Sequence, residues 1–137
     1  MRDYRPTGRD ILVSISDPGQ TPPVIVGFLA RCNLYFYDVD KPLYTTELGL
    51  PIDPMLPISW DDAVIAVDFV RYHQHKADTL VVNCEAGISR SAGMAAALSH
   101  IFNLIPTDQE IFSCGRWIPN RYVNRQILEA ANLYGPR

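Results

Sequence analysis

Residues 79–102, TLVVNCEAGISRSAGMAAALSHIF, constrain the fold of this chain more than any other stretch. The apolar run at 79–83 predicts a short buried strand. The alanine-rich run at 91–103 predicts a helix. Since only the small segment 84–90 lies between them, the chain passes from a strand into a helix. Such a unit is typical of folds in which helices cover a sheet.

Strands alternate with helices in the rest of the chain after residue 33. ILVSIS at 11–16 and NLYFYDVD at 33–40 predict strands, whereas PVIVGFLARC at 23–32 fits either a strand or a short helix. Three further helices are predicted: 59–76 with Ser59 as its N-cap, 107–115 with a capping box formed by Thr107 and Glu110, and a last helix capped by Asn120. We therefore expect an α/β fold with a central, mostly parallel sheet flanked by helices.

A proline-rich segment separates the second predicted strand from the next helix. It spans 41–58 and contains Pro42, Pro51, Pro54 and Pro57. Because proline interrupts both helices and central strands, we expect a long loop here. Loops of this length in compact domains are often functional.

Composition and charge limit the class of protein. The chain has 137 residues, of which 47% are hydrophobic and 20% charged, as expected for one soluble domain over 1–137. A net charge of −3 argues against nonspecific binding to nucleic acid or anionic membranes. Three cysteines, Cys32, Cys84 and Cys114, form no CxxC pair and predict reduced thiols in a cytoplasmic protein. The N-terminus lacks the apolar core of a signal peptide, and no stretch approaches the roughly 18 apolar residues that span a bilayer.

The loop at 84–91 contains the candidate catalytic and anion-binding residues. In an α/β fold, ligands bind at the carboxyl ends of the strands, where Cys84 and Asp38 would lie. The backbone N–H groups of the loop and of the following helix can surround one tetrahedral anion. Its predicted phosphate-binding residues are Glu85, Ala86, Gly87, Ile88, Ser89, Arg90 and Ser91.

Three side chains of this loop have distinct expected roles. The planar guanidinium of Arg90 suits two oxygens of a phosphate. The same donors should lower the pKa of Cys84, whose thiolate could then attack phosphorus in line. The hydroxyl of Ser91 could hydrogen-bond the sulfur and ease its departure.

The loop and its flanks resemble a known family. CEAGISRS, with a C-x5-R-S pattern between an apolar strand and an alanine-rich helix, resembles the signature loop of cysteine-dependent protein tyrosine phosphatases. It is most similar to the small dual-specificity subgroup and its compact bacterial and viral relatives. RWIPNRYVNRQILEA near the C-terminus is similar to a segment of the same enzymes. The resemblance implies a phosphatase-like fold and metal-free hydrolysis of phosphomonoesters, without a cofactor, through a phosphocysteine intermediate.

Two positions depart from the family pattern. Asn83 stands where the family usually has histidine, so we expect the pKa of Cys84 to be less depressed than is typical of the family. Glu85 places an acid inside the loop, which should disfavour polyanionic inositol lipids through charge repulsion.

The resemblance also implies an aspartate as general acid, and three candidates exist. Asp38 and Asp40 close the predicted strand at 33–40 and should share one face. Asp53 lies in the proline-rich loop. The match of FYDV at 36–39 to compact bacterial members favours Asp38, with Asp40 and Asp53 left open.

We therefore expect a monomeric phosphatase whose catalytic residues are Cys84, Arg90 and Asp38, acting on a phosphorylated protein or a small phosphomonoester. The main alternative is a silent phosphate- or phosphopeptide-binding module of the same fold. A sulfur- or arsenate-handling enzyme is disfavoured by the R-S-helix continuation and by the position of Cys84. The sequence does not choose among phosphotyrosine, phosphoserine and a nucleotide or RNA end as the substrate.

A metal site at HQH (73–75) is disfavoured because residues two apart do not share a helix face.

Overall fold

The structure, a computed structural model, describes residues 4–44, 46–47, 50–51, 54–85 and 87–134. Nine elements follow in chain order within these ranges: β1 (Asp10–Ser16), β2 (Ala30–Tyr35), β3 (Thr46–Glu47), β4 (Leu50–Pro51), α1 (Trp60–His73), β5 (Thr79–Cys84), α2 (Arg90–Phe102), α3 (Asp108–Ser113) and α4 (Arg121–Tyr134). The fold is α/β, as the alternation of strand and helix patterns predicts.

The central sheet has three strands, all parallel, in the order β2-β1-β5. Ile15 of β1 is aligned with Leu34 of β2 and with Cys84 of β5. Because the strands are parallel and in close register, their carboxyl ends meet at one edge of the sheet. The residues that follow the three strands therefore come together there.

The middle and edge strands differ in burial. Every residue of β1 is buried, as expected for a strand with neighbours on both sides. In β5, by contrast, Thr79 is exposed, Leu80 to Asn83 are half-buried, and only Cys84 is buried. The prediction of a buried strand at 79–83 is therefore wrong in part. Among the described residues no strand pairs with the outer edge of β5, so its apolar residues are only partly covered.

Helices α1, α2 and α4 pack on the face of the sheet that carries Val13 and Ile15. One apolar cluster joins these two side chains to Val67 of α1, Leu98 of α2 and Ile127 of α4, all at most 1% exposed. Complete burial of such side chains stabilises a fold by about 1.5–3 kcal/mol each. This packing holds the start of α2 against the end of β5.

The predicted helix starts are confirmed. Ser59 Oγ accepts the N–H of Asp62, and Thr107 and Glu110 form the predicted capping box. Asn120 Oδ1 accepts two backbone N–H groups at the start of α4. These caps satisfy backbone donors that have no partner within the helix.

Two segments with uncertain patterns are now defined. The chain over 21–28 has no regular structure, and β2 then runs from Ala30 to Tyr35. The proline-rich segment 41–58 has neither a helix nor a central strand, as predicted, in its described part. It carries instead a short antiparallel pair, β3 with β4, and a bridge between Leu43 and Met55.

None of the helices in the described ranges is long and apolar enough to cross a membrane.

Candidate active site

The loop from Cys84 to Arg90 forms the centre of the candidate site at the carboxyl edge of the sheet. Gly87 has a φ of 69°, in the left-handed region where a side chain would be strained. Glycine is therefore suited to this position in the turn. The N–H groups of Ile88 and Ser89 donate to no described residue and remain available to an anion. Ala86, also predicted to bind phosphate, lies outside the described residues.

Cys84 is held at the foot of this loop by Ser91. The Ser91 hydroxyl lies 3.2 Å from Sγ, and the Ser91 backbone N–H donates to Sγ at 3.4 Å. Burial alone would raise the pKa of Cys84, and it is the largest single influence. The hydrogen bonds from Ser91 and Gly87, together with the charge of Arg90, outweigh burial and lower the pKa below its ordinary value. Cys84 is thus suited to exist as a thiolate.

Cys32 shows what burial does to a thiol without such donors. It lies in β2, is 8% exposed and belongs to the main apolar cluster. Burial foremost, and the charge of Asp62 in addition, raise its pKa to about 11. Two buried cysteines of one sheet therefore have pKa values shifted in opposite directions, and the loop accounts for the difference.

We expect iodoacetate to alkylate Cys84 faster at pH 6 than it alkylates an ordinary cysteine peptide, because a lowered pKa gives a larger thiolate fraction at any pH below the ordinary value. Cys32 should stay unmodified. Peptide mass spectrometry over a pH series measures both rates, and the Cys84→Ser variant is the control for assignment. A Cys84 that reacts at pH 6 no faster than a free cysteine peptide would contradict the lowered pKa.

Arg90 begins α2, is 6% exposed and is fixed by contacts from the other two strand ends. Its Nη1 donates to Asp17 Oδ1, which follows β1, and to the backbone oxygen of Phe36, which follows β2, both at 2.7 Å. Within the described ranges, every hydrogen bond of this guanidinium uses Nη1. The N–H groups of Nε and Nη2 therefore remain free to bind two oxygens of one anion.

Asp38 is bonded directly to the loop. Its Oδ1 accepts the Ser89 hydroxyl at 2.9 Å and the Asn120 side-chain amide at 2.8 Å. β2 ends at Tyr35, so Asp38 and Asp40 lie beyond the strand and the predicted strand alternation does not apply to them. Among the described residues no hydrogen bond joins Asp40 to the loop, and Asp53 lies outside the described residues.

The two departures from the family pattern have different surroundings. Asn83 is aligned with Ser14 of β1, and its Oδ1 is buried and accepts no hydrogen bond from the described residues. The pKa of Cys84 is thus lowered by the loop rather than by this amide. Glu85 is exposed to solvent.

The segment 118–120, just before α4, is hydrogen-bonded to the loop. The N–H of Ile118 donates to the oxygen of Ile88 at 3.1 Å, and the N–H of Asn120 donates to the oxygen of Ser89 at 3.0 Å. The backbone oxygens of Ile88 and Ser89 therefore face the segment 118–120 that precedes α4.

Sequence reasoning missed two residues of this site. Asp17 was not predicted to have a role, and Asn120 was predicted only as a helix cap. Asp17 directly follows a parallel strand, so the strand-end rule that selected Cys84 and Asp38 could also have selected it. No comparable signal indicated that the Asn120 side chain reaches Asp38, 82 positions away.

A groove of about 720 Å³ adjoins the loop. It reaches Cys84 and Gly87 and lies between β5 and the helices α2 and α3. Its apolar lining includes Leu80, Val82, Ala92, Ala95, Ile111 and Trp117. The groove therefore places apolar surface next to the sulfur.

The remaining reactive residues lie apart from the loop. Cys114 is exposed and, like Cys84, is not in a disulfide. No three His, Cys, Asp or Glu side chains in the described part of the chain form a group that could hold a metal ion.

The fold and the site together define an α/β protein with a cysteine–arginine loop at the carboxyl edge of a parallel sheet. No protein-family model matches the chain, and no curated protein matches it either.

Proposed function

We propose that this protein is a cysteine-dependent phosphatase with a protein tyrosine phosphatase-like fold, acting on phosphorylated protein or a small phosphomonoester. The observation that carries the proposal is the geometry around Cys84: the Ser91 N–H donates to Sγ at 3.4 Å, and the described residues bind the Arg90 guanidinium through Nη1, which leaves Nε and Nη2 for an anion. The pKa shifts of the two buried thiols agree with this geometry. Cys84 has a lowered pKa inside a loop of N–H donors beside Arg90, whereas Cys32, in the core of the same sheet, has a raised one.

In the first chemical step the Cys84 thiolate attacks phosphorus, and a sulfur–phosphorus bond forms as the bond to the leaving oxygen breaks. Arg90 and the loop N–H groups stabilise negative charge on the three non-reacting oxygens. Asp38, bonded to the loop through Ser89 at 2.9 Å, gives its proton to the leaving oxygen. The products are an alcohol or phenol and a phosphocysteine.

In the second step water attacks the phosphocysteine. The Asp38 carboxylate accepts a proton from the water, and the sulfur–phosphorus bond breaks. The Ser91 hydroxyl, 3.2 Å from Sγ, stabilises the sulfur as it leaves with the bonding electrons. Phosphate is released and both side chains return to their initial states.

Turnover of an aryl phosphate in the presence of a chelator tests this function. We expect hydrolysis without added metal, and an acid-quenched reaction should hold one phosphoryl group on the peptide that contains Cys84. Mass spectrometry of the quenched digest measures it. Binding of phosphate without any hydrolysis would instead identify a silent phosphate-binding module, and hydrolysis that requires metal would contradict the mechanism.

The same assay addresses the substrate. The groove of about 720 Å³ beside Cys84 is lined by neither Arg90 nor Asp38, and in-line attack places the leaving group on the side of phosphorus away from the sulfur. We still expect phenolic phosphates to be turned over faster than phosphoserine peptides at equal concentration, because a phenolate is a better leaving group than a serine alkoxide.

A further inference from the structure

The side-chain amide of Asn120 has a defined orientation. Its Oδ1 accepts the backbone N–H groups of Tyr122 and Val123, each at 3.0 Å. An amide oxygen that caps a helix in this way directs the amide nitrogen to the opposite side, since only the oxygen accepts. The helix start therefore decides where Nδ2 points.

Nδ2 points at Asp38. It donates to Oδ1 at 2.8 Å, and the Ser89 hydroxyl donates to the same oxygen at 2.9 Å. Among the described residues no hydrogen bond reaches Oδ2 of this carboxyl group. A protonated carboxyl group has one O–H donor and one carbonyl oxygen. Because Oδ1 already accepts two donors, it is the carbonyl oxygen, and the proton belongs on Oδ2.

We propose that Asn120 is a positioning residue, which directs the acidic proton of Asp38 to Oδ2, the oxygen that accepts no hydrogen bond from the described residues. This inference rests on the proposed phosphatase function and adds to it. The same amide couples the acid to the first turn of α4, so the position of the acid depends on a helix cap.

The backbone of Asn120 is held as firmly as its side chain. Its N–H donates to Ser89 of the loop at 3.0 Å. Helix α2 also approaches so closely that a Cβ at Gly93 would clash with the backbone oxygen of Asn120. Asn120 thus sets the distance between the acid and the anion loop.

The variants Asn120→Ser and Asn120→Asp test the inference. Serine and aspartate cap helices about as well as asparagine, so α4 should start normally. Neither has the amide N–H groups, and aspartate also places a second carboxylate beside Asp38. The readout is the steady-state turnover of phenyl phosphate, whose leaving group needs a proton, against dinitrophenyl phosphate, whose leaving group does not.

We expect Asn120→Ser to lower kcat/KM for phenyl phosphate by about tenfold and kcat/KM for dinitrophenyl phosphate by less than about twofold. This ratio depends on the first chemical step and not on the hydrolysis of phosphocysteine, in which Asp38 also acts. Asn120→Asp should lower the first rate further, with the same selectivity. The KM values should change little, because the anion loop is intact. Equal losses on both substrates, or no loss on phenyl phosphate, would overturn the inference.

Asn124→Ser is the matched control. Asn124 is also on α4 and donates through Nδ2, at 3.2 Å, to the oxygen of Gly93 rather than to Asp38. It should leave the ratio of the two rates unchanged, and a ratio altered as in Asn120→Ser would count against a specific role of Asn120.

A double-mutant cycle with Asp38→Asn completes the test. Once the acid is gone, Asn120→Ser should cost no further activity on phenyl phosphate, because both changes remove the same function. Additive losses would overturn the inference. The inference would also be overturned if Asp38→Asn lowered the rates for phenyl phosphate and dinitrophenyl phosphate equally. In that case, turnover of the wild type through phosphocysteine would still support the phosphatase function. A wild-type protein that hydrolyses neither substrate would refute the phosphatase, and the inference with it.

Discussion

Replacing Cys84 by serine should abolish hydrolysis of aryl phosphates while binding of phosphate or vanadate persists. A serine hydroxyl is almost never ionised at neutral pH, so the nucleophile is lost, and kcat should fall at least about 10⁴-fold. The loop donors and Arg90 are unchanged, so the anion should bind about as tightly as before. Steady-state kinetics and calorimetric titration with phosphate measure the two effects separately.

Cys32→Ser is the control for this variant. It removes a thiol that is as buried as that of Cys84. This thiol lies in the apolar core, and its pKa is raised to about 11. Activity per folded molecule should therefore be retained, although some stability is lost. Normal turnover in Cys84→Ser would refute the phosphocysteine mechanism.

Replacing Arg90 by lysine should lower kcat/KM by roughly 10²- to 10³-fold even though the positive charge is kept. Lysine cannot bind two phosphate oxygens through a planar fork. It also cannot reproduce the two 2.7 Å bonds from Nη1 to Asp17 and to the Phe36 oxygen that orient the guanidinium. Phosphate affinity should fall in parallel, because the ground-state anion uses the same donors.

Arg71→Lys is the matched control, since Arg71 lies on α1 and pairs with Asp68 at the surface. Its kinetics should equal those of the wild type. Arg90→Ala extends the test, because loss of the positive charge should move the alkylation of Cys84 to higher pH. An unchanged kcat/KM in Arg90→Lys would exclude the guanidinium as the phosphate clamp.

Local patterns predicted much of the fold. The strand and helix on either side of the loop, the N-cap at Ser59, the capping box at Thr107 and the cap at Asn120 are all present. Each of these features depends on residues within a few positions of one another, so it can be predicted from a single sequence. The alternation of strands and helices after β2 predicted a mostly parallel sheet, whereas β1 and β2 are parallel with no helix between them.

Burial at the sheet edge could not be predicted in the same way. An apolar run such as TLVVN looks the same whether one or two strands flank it. In the described residues β5 has a neighbour on one side only, and its residues from Leu80 to Asn83 are half-buried. Only the strand order shows this.

The sequence by itself determined the chemistry of the loop: a cysteine at a strand end, a glycine at the turn, an arginine at the helix start and a serine after it. It did not determine how that loop is oriented and supported. Asp17 lies 73 positions from Arg90 and Asp38 lies 82 positions from Asn120, yet these pairs are in hydrogen-bond contact. The order and register of the strands bring their carboxyl ends together. The distances between residues at these ends cannot be predicted from any local sequence pattern.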